Sequence, residues 1–364
     1  LAKQYTTQTE DMRVPDLSTH PHWQPLIAAL PLYIDANGLS HRRDSAIIQA
    51  EQHAGICPLD QLALYDIEGV DAVSFLQGQL SCDVEKLGIG ETTLAAHCNA
   101  KGRMHANFLL HRLADQHFLI QLPRSVVTTA QQALARYAVF SKVTLNRLDE
   151  RYIACGVLAS TADSIRETLT AVAAFGIKLG DIGDVFWFDT EDNAALFTLD
   201  EALRAGPLGG SADWTLATHR AGIGFVEAAT VLEFIPQVLN LDQLGGISFD
   251  KGCYTGQEII ARMKYLGKTK RRMQRFSIDH AKPVAINIGE TLFDASGAKT
   301  ASVVSAVSYR VNDAADRYRT DILAVALWQD GTRETLTVKA PAGELNEAEL
   351  ALRGQSLPYR LADT

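Results

Sequence analysis

The chain has 364 residues, of which 47% are hydrophobic and 21% charged, and a formal net charge of −9. This length exceeds one ordinary core, so two or three domains are expected, and the composition is that of a globular chain. The negative balance opposes wholesale nucleic-acid binding, and no run approaches the roughly 18 apolar residues of a membrane span, so no membrane association is expected. Leu1 to Arg13 lack the basic-then-apolar order of a signal peptide. Cys57, Cys82, Cys98, Cys155 and Cys253 are scattered and odd in number, which argues against a disulfide framework and for a reducing, cytoplasmic compartment. No Cys-x-x-Cys is present, and no metal site is expected.

In chain order, residues 1–58 carry weak signals broken by Pro21, Pro25 and Pro31, with a short helix from Asp44 to His53, and read as an N-terminal extension of one or two helices. Leu64 to Ile67 predicts a strand and Asp71 to Leu80 a helix. Thr93 to Cys98 and Arg103 to His111 flank an Asn99-Ala100-Lys101-Gly102 turn, a hairpin signal. Phe118 to Gln121 reads as a strand, Pro123 to Ala138 as a helix, and Lys142 to Asn146 as another strand. A second such unit follows: strand Tyr152 to Leu158, helix Ser164 to Phe175, then strands Val185 to Asp189 and Ala194 to Leu199. Beyond Arg275, runs such as Ser302 to Val307, Ile322 to Leu327 and Thr335 to Val338 predict an all-β terminal part. The fold class is α+β with antiparallel sheets. The expected divisions are 1–58, 59–150, 151–275 and 276–364.

The most informative stretch is Lys251-Gly252-Cys253-Tyr254-Thr255-Gly256-Gln257-Glu258. Thr255 and Glu258 have the spacing of a capping box, and Ile259, Ile260, Met263 and Leu266 have helical spacing after it. Cys253 thereby falls just outside a helix N-terminus beside Lys251, and both features favour a thiolate. The glycines and Glu258 also fit a plain turn and cap, and a lone cysteine is often a small buried hydrophobe. Arg262, Lys264, Lys268, Lys270, Arg271, Arg272 and Arg275 follow with no acidic residue among them. They read either as a solvated helix end and loop or as a local site for phosphates or another polyanion. His97, His105, His111 and His117 lie around one hairpin without ligand spacing and read as surface or strand histidines.

The octapeptide closely resembles the signature of the YgfZ family of folate-binding proteins, relatives of the glycine-cleavage T-protein (aminomethyltransferase). Three more stretches match in order: Phe75 to Val84, His97 to Met104, and Phe234 through Phe249. The likeness spans roughly residues 60–275. It implies two α+β domains and a C-terminal β-barrel in a clover-leaf around a central folate pocket. It also implies tetrahydrofolate or a one-carbon derivative as cofactor, and a role in tRNA modification and iron–sulfur enzyme maintenance. Folate and iron–sulfur tRNA-modifying enzymes are then the expected partners, with direct tRNA contact a further option.

The resemblance puts the working groups at Cys253 and Lys251. Trp214 matches a family tryptophan of the folate pocket, though the residues alone favour a core aromatic there. A second aromatic expected near Leu62 is absent, with Tyr65 close by. Tyr254, Gln257 and Glu258 of the signature, and Lys101 and Arg103 of the hairpin turn, complete the expected cofactor contacts together with Asn107 and Arg220. The last two are departures. The T-protein has an acidic pair where this chain has Ala106-Asn107, and a glutamate where it has Arg220. An amide cannot act as a general base. An accessory folate-binding protein is therefore favoured over an aminomethyltransferase or an RNA-binding module, and whether the chain catalyses any reaction stays open.

Overall fold

The computed structural model describes residues 23, 27, 29–35, 38–42, 54–265, 267, 269–280, 286–294, 296–312, 317–327, 335–339 and 349–361. The expected helix from Asp44 to His53, and Leu266 and Lys268, lie outside them. The described part of the N-terminal stretch holds a hairpin, β1 (Leu32–Ile34) with β2 (Ser40–Arg42), and the strand β3 (Ile56–Pro58).

The next strands are β4 (Leu62–Glu68), β5 (Thr92–Cys98), β6 (Met104–Ala114), β7 (His117–Pro123) and β8 (Thr144–Arg147), and they form a five-stranded antiparallel sheet in the order β5-β6-β7-β4-β8. The hairpin turn lies where expected, with Gly102 at φ 69°, a conformation that costs glycine little. Helices α1 (Ala72–Gln79) and α2 (Val127–Ala138) lie on one face. On α2, Val127, Ala130 and Leu134 are buried at three- and four-residue spacing, the stripe that makes this sequence a core-facing helix.

A second antiparallel sheet runs β10-β11-β9-β3, from β9 (Tyr152–Leu158), β10 (Phe175–Lys178) and β11 (Gly183–Asp189). Its strand β3 precedes the first sheet in sequence, so the chain enters this sheet, builds the other, and returns. The two sheets share a core of Leu64, Leu119, Trp187 and Trp214 among others, which is why β7 and β9 are buried along almost their whole length. Trp187 donates its indole N–H to Gln121 Oε1 across the junction at 3.1 Å.

Helix α3 (Asp163–Val172) follows β9. The strand expected at Ala194 to Leu199 is instead helix α4 (Asn193–Ala205). Ala195, Leu199 and Leu203 are buried one turn apart, and Asp192 caps the start by accepting from the Ala194 and Ala195 amides. A short apolar run fits both periods, and here the cap and the four-residue spacing win. Helix α5 (Ser211–Arg220), not anticipated from the sequence, follows it, and α6 (Gln257–Tyr265) is the helix expected after the signature.

The terminal part is all-β as expected. Strands β12 (Arg271–His280), β13 (Thr291–Phe293), β14 (Lys299–Asn312), β15 (Arg317–Leu327), β16 (Thr335–Lys339) and β17 (Glu349–Gln355) form a six-stranded antiparallel sheet in the order β13-β14-β15-β12-β17-β16. Among the described residues no hydrogen-bonded pairing joins the end strands β13 and β16. Val304, Leu323 and Val325 of this sheet enter the core of the first sheet, and Val307 and Tyr309 enter the core between the first two. No helix among the described residues is long and apolar enough to cross a membrane.

Candidate functional site

The four matching motifs converge in space. Thr255 N donates to Gly78 O at 3.2 Å, Ser248 N to Ser81 O at 2.8 Å, and Ser81 Oγ to Gly246 O at 2.6 Å. These bonds lay the signature against the C-terminal end of α1. The hairpin turn closes the other side: a Cβ on Gly256, at φ 85°, would lie 2.6 Å from Asn99 O, and one on Gly102 would lie 3.1 Å from Ile259. Both glycines are therefore required by close approach as well as by conformation. Met104 N donates to Phe234 O, and Leu232 N to Met104 O, which brings in the fourth segment.

Within this cluster Cys253 is exposed, while Cys57, Cys82, Cys98 and Cys155 are buried. Lys251 does not turn to the thiol. Its ammonium donates to Leu80 O at 2.9 Å and Cys82 O at 2.6 Å, carbonyls just past the C-terminus of α1. It also lies 5.1 Å from the Tyr254 ring centroid. Burial lowers the Lys251 pKa to about 8, against the opposing pull of Cys82, Asp83 and Glu85. The capping box takes another form. Helix α6 starts at Gln257, the residue before it is Gly256, and Thr255 Oγ1 donates to Gln79 Oε1 at 3.2 Å. Tyr254 is buried, Gln257 half-buried and Glu258 exposed. Lys101 is exposed, and so is Arg103, whose guanidinium donates to the Leu232 and Glu233 carbonyls.

Among the described residues of the basic stretch, three side chains reach the surface. Arg262, Lys264 and Lys270 are exposed, with Lys264 Nζ 3.7 Å from the Phe249 ring centroid. Arg271, Arg272 and Arg275 belong to β12. Arg272 is 1% exposed and forms a bidentate pair with Asp242 at 2.7 and 3.0 Å. Arg275 pairs with Asp321, and Arg271 donates to the Thr300 and Val325 carbonyls. The loop expected there is a paired strand.

Trp214 belongs to a different place. It stands on α5 at the edge of a cavity of about 140 Å³ between the first sheet, the terminal sheet and α5. Apolar groups from Leu62, Pro123, Ile223 and Ala306 line it. The indole packs so tightly on β9 that a Cβ at Gly156 would lie 2.5 Å from it, so Trp214 is at once a core aromatic and a cavity wall. Tyr65, by contrast, is fully buried in the first core and does not line the cavity.

Sequence reasoning missed most of the polar lining. Asp60 is 4% exposed, and its Oδ1 has no hydrogen-bond partner, nor does Oε1 of Gln61. Burial raises the Asp60 carboxyl to about 6, against the backbone N–H groups and Arg124 that favour its charge. Arg124 donates to Asp60 O and Leu62 O, and pairs with Asp149 at 3.1 Å. Ser125 Oγ donates to Glu227, whose pKa burial also raises. These residues come from separate loops, and nothing in the local sequence marks them as buried together. The one available signal was an acidic residue, Asp60, placed two positions before a strand.

The histidine cluster is more buried than expected. His97 is 1% exposed, and burial drives its pKa down to about 3. His111 contacts Thr92 Oγ1 at 2.9 Å and His117 contacts Asp66 at 3.1 Å.

Residues 34–183 match the model of the GCVT N-terminal domain. The tRNA-modifying protein YgfZ of Escherichia coli O157:H7 is 40% identical over 227 residues, 59% of this chain and 69% of that protein. The Enterobacter sp. (strain 638) protein of the same name is 37% identical over 227 residues, with the same coverage. The chain belongs to the YgfZ family. An uncharacterized Haemophilus influenzae protein is 34% identical over 252 residues, 69% of this chain and 83% of that one. The glycine-cleavage aminomethyltransferase T of Bartonella henselae shares the fold, with a TM-score of 0.64 at 16% identity over 92% of this chain and 96% of that one.

Against that shared fold, the two departures of this YgfZ-family chain acquire a geometry. Asn107 is fully buried, its amide donating to Gly224 O at 2.8 Å and its Oδ1 accepting from Val226 N at 2.7 Å. The side chain is spent on the backbone that forms one cavity wall. Asn107→Ala should cost about 1–3 kcal/mol by leaving both backbone groups unpaired, read as a shift of the urea midpoint at unchanged slope. Arg220 is the last residue of α5, half-buried and not among the cavity-lining groups.

Proposed function

We propose that this protein is a folate-binding accessory factor of tRNA modification, seating the pterin ring of tetrahydrofolate or a one-carbon derivative in the central cavity and presenting Cys253 as its reactive thiol. The observation that carries this reading is the pairing of an aromatic wall, Trp214, with buried acceptors that have no partner, Asp60 Oδ1 and Gln61 Oε1. A pterin supplies what they lack: a flat ring to stack on the indole and N–H donors along its aminopyrimidine edge. When bound, the folate would supply one-carbon chemistry, while Asp60 orients its ring and the apolar walls exclude water. In this reading the three sheets stand as a clover-leaf, with the terminal sheet curled into a barrel. The role in tRNA modification is supported by the relatives' name, and service to iron–sulfur enzymes by the family resemblance of the signature. Exposed Arg262, Lys264 and Lys270 form the surface for a phosphate-bearing partner such as tRNA.

Asp60 tests the assignment, because a group kept for binding is a burden on the empty protein. Its folded pKa of about 6 lies above the ordinary 3.8, so the stability it affects is present at low pH and lost as pH rises from about 4 to about 6. Asp60→Asn should therefore stabilise the ligand-free protein at pH 7 by about 2–3 kcal/mol, with little gain at pH 4. The same variant should bind tetrahydrofolate at least tenfold more weakly. A variant that binds as tightly as the wild type would remove Asp60 from the site.

A further inference from the structure

A second arrangement opens on the same cavity. His219 of α5 places Nδ1 3.0 Å from Asp321 Oδ1 on β15, and Nε2 2.8 Å from Ser305 Oγ on β14. A carboxylate only accepts, so Nδ1 carries a proton, and whenever the ring is neutral Nε2 is left to accept from the serine hydroxyl. His219 and Asp321 are each 1% exposed, whereas Ser305 is half-buried and lines the cavity with His219. Burial opposes the charge of Asp321, but His219 and Arg275 outweigh it and hold the carboxyl below its usual range. Arg275 donates to both carboxylate oxygens, so Asp321 stays fixed and ionised. The strand itself is irregular here: its register against β15 shifts between Val303 and Ser305, leaving Val304 as the extra residue of a bulge. Bulges re-aim side chains and free backbone groups beside reactive sites.

Nucleophile, base and orienting carboxylate in this order are recognised by geometry and role on any fold. We infer that Ser305, His219 and Asp321 form an acyl-transfer site that hydrolyses a small ester or thioester seated in the cavity. Ser305 Oγ bonds to the acyl carbon while its proton passes to His219 Nε2. The bond to the alcohol or thiol breaks, and that group leaves with the proton. Water then attacks the acyl-serine, giving its proton to His219, which returns it to Ser305 Oγ as the carboxylic acid departs. Asp321 acts through the imidazole and is a positioning residue. The inference needs the cavity but not the folate, so it stands apart from the folate-binding reading.

The test is reaction of the folded full-length protein with methanesulfonyl fluoride, read by peptide mass spectrometry. Sulfonylation of Ser305 is expected at least a hundredfold faster than of the exposed Ser74 and Ser296. His219→Gln should slow it by about a hundredfold or more, Asp321→Asn should slow it, and Asp321→Glu should restore part of the rate. Ser305 reacting no faster than Ser74 and Ser296 in the wild type, or equally fast in a folded His219→Gln protein, overturns the inference. Should His219→Gln fail to fold, the wild-type comparison among the three serines decides alone. Tetrahydrofolate titration of the wild type keeps the readings separate, since saturable binding by a protein whose Ser305 reacts no faster than Ser74 and Ser296 overturns this inference and leaves the folate assignment intact.

Discussion

Iodoacetamide added to the folded protein is expected to modify Cys253 at least a hundredfold faster than any other cysteine. Cys253 is exposed at the signature, whereas the other four thiols are closed inside the cores. Burial also pushes Cys82 up to about 12 and raises Cys57, Cys98 and Cys155 from their ordinary range, so each would have to be opened before it ionises. A local opening costing about 2.7 kcal/mol already gives a hundredfold difference. Cys253→Ser should change stability by no more than about 0.5 kcal/mol, as expected of an exposed side chain, and should fail to restore tRNA modification in a strain lacking this protein. Full restoration by a folded Cys253→Ser protein would show that the thiol has no working role.

Aminomethyl transfer is expected to be absent. The carboxylate that the T-protein resemblance calls for is replaced by Asn107, whose donor and acceptor are both committed to the backbone at Gly224 and Val226. An amide so held neither takes a proton nor stabilises a cationic intermediate. With an aminomethyl-lipoyl donor and tetrahydrofolate, no methylene-tetrahydrofolate should form above the uncatalysed rate. Turnover of about 1–1000 per second, the ordinary enzyme range, would contradict this.

Much of the framework was legible because it is local. Strand β9 and the hairpin of β5 and β6 follow from alternation and a glycine turn, and α6 follows from its apolar spacing after the signature. What failed was ambiguous locally: Ala194 to Leu199 carries both periods, and Arg271 to Arg275 reads as a charged loop until Asp242 and Asp321 are seen to face it. Sequence adjacency puts Lys251 beside the thiol, but its long chain reaches the carbonyls of Leu80 and Cys82 just past α1. The cavity was the least legible part. Resemblance points to Trp214, but Asp60, Gln61, Ser125 and Glu227 become neighbours only when the first sheet, the terminal sheet and α5 pack together.

In the folate-binding reading a folate ring stacks on Trp214 in that cavity. Titration of the wild type and Trp214→Phe with tetrahydrofolate, followed by tryptophan fluorescence and by calorimetry, tests it most directly. Phenylalanine keeps much of the packing against Gly156, so the variant should fold, yet it loses ring area over the ligand. Saturable binding is expected in the wild type, with affinity weakened about tenfold in Trp214→Phe, a change of about 1.4 kcal/mol, and most of the fluorescence change lost. Equal affinity and an undiminished fluorescence change in the folded variant, or no binding by the wild type, would contradict it.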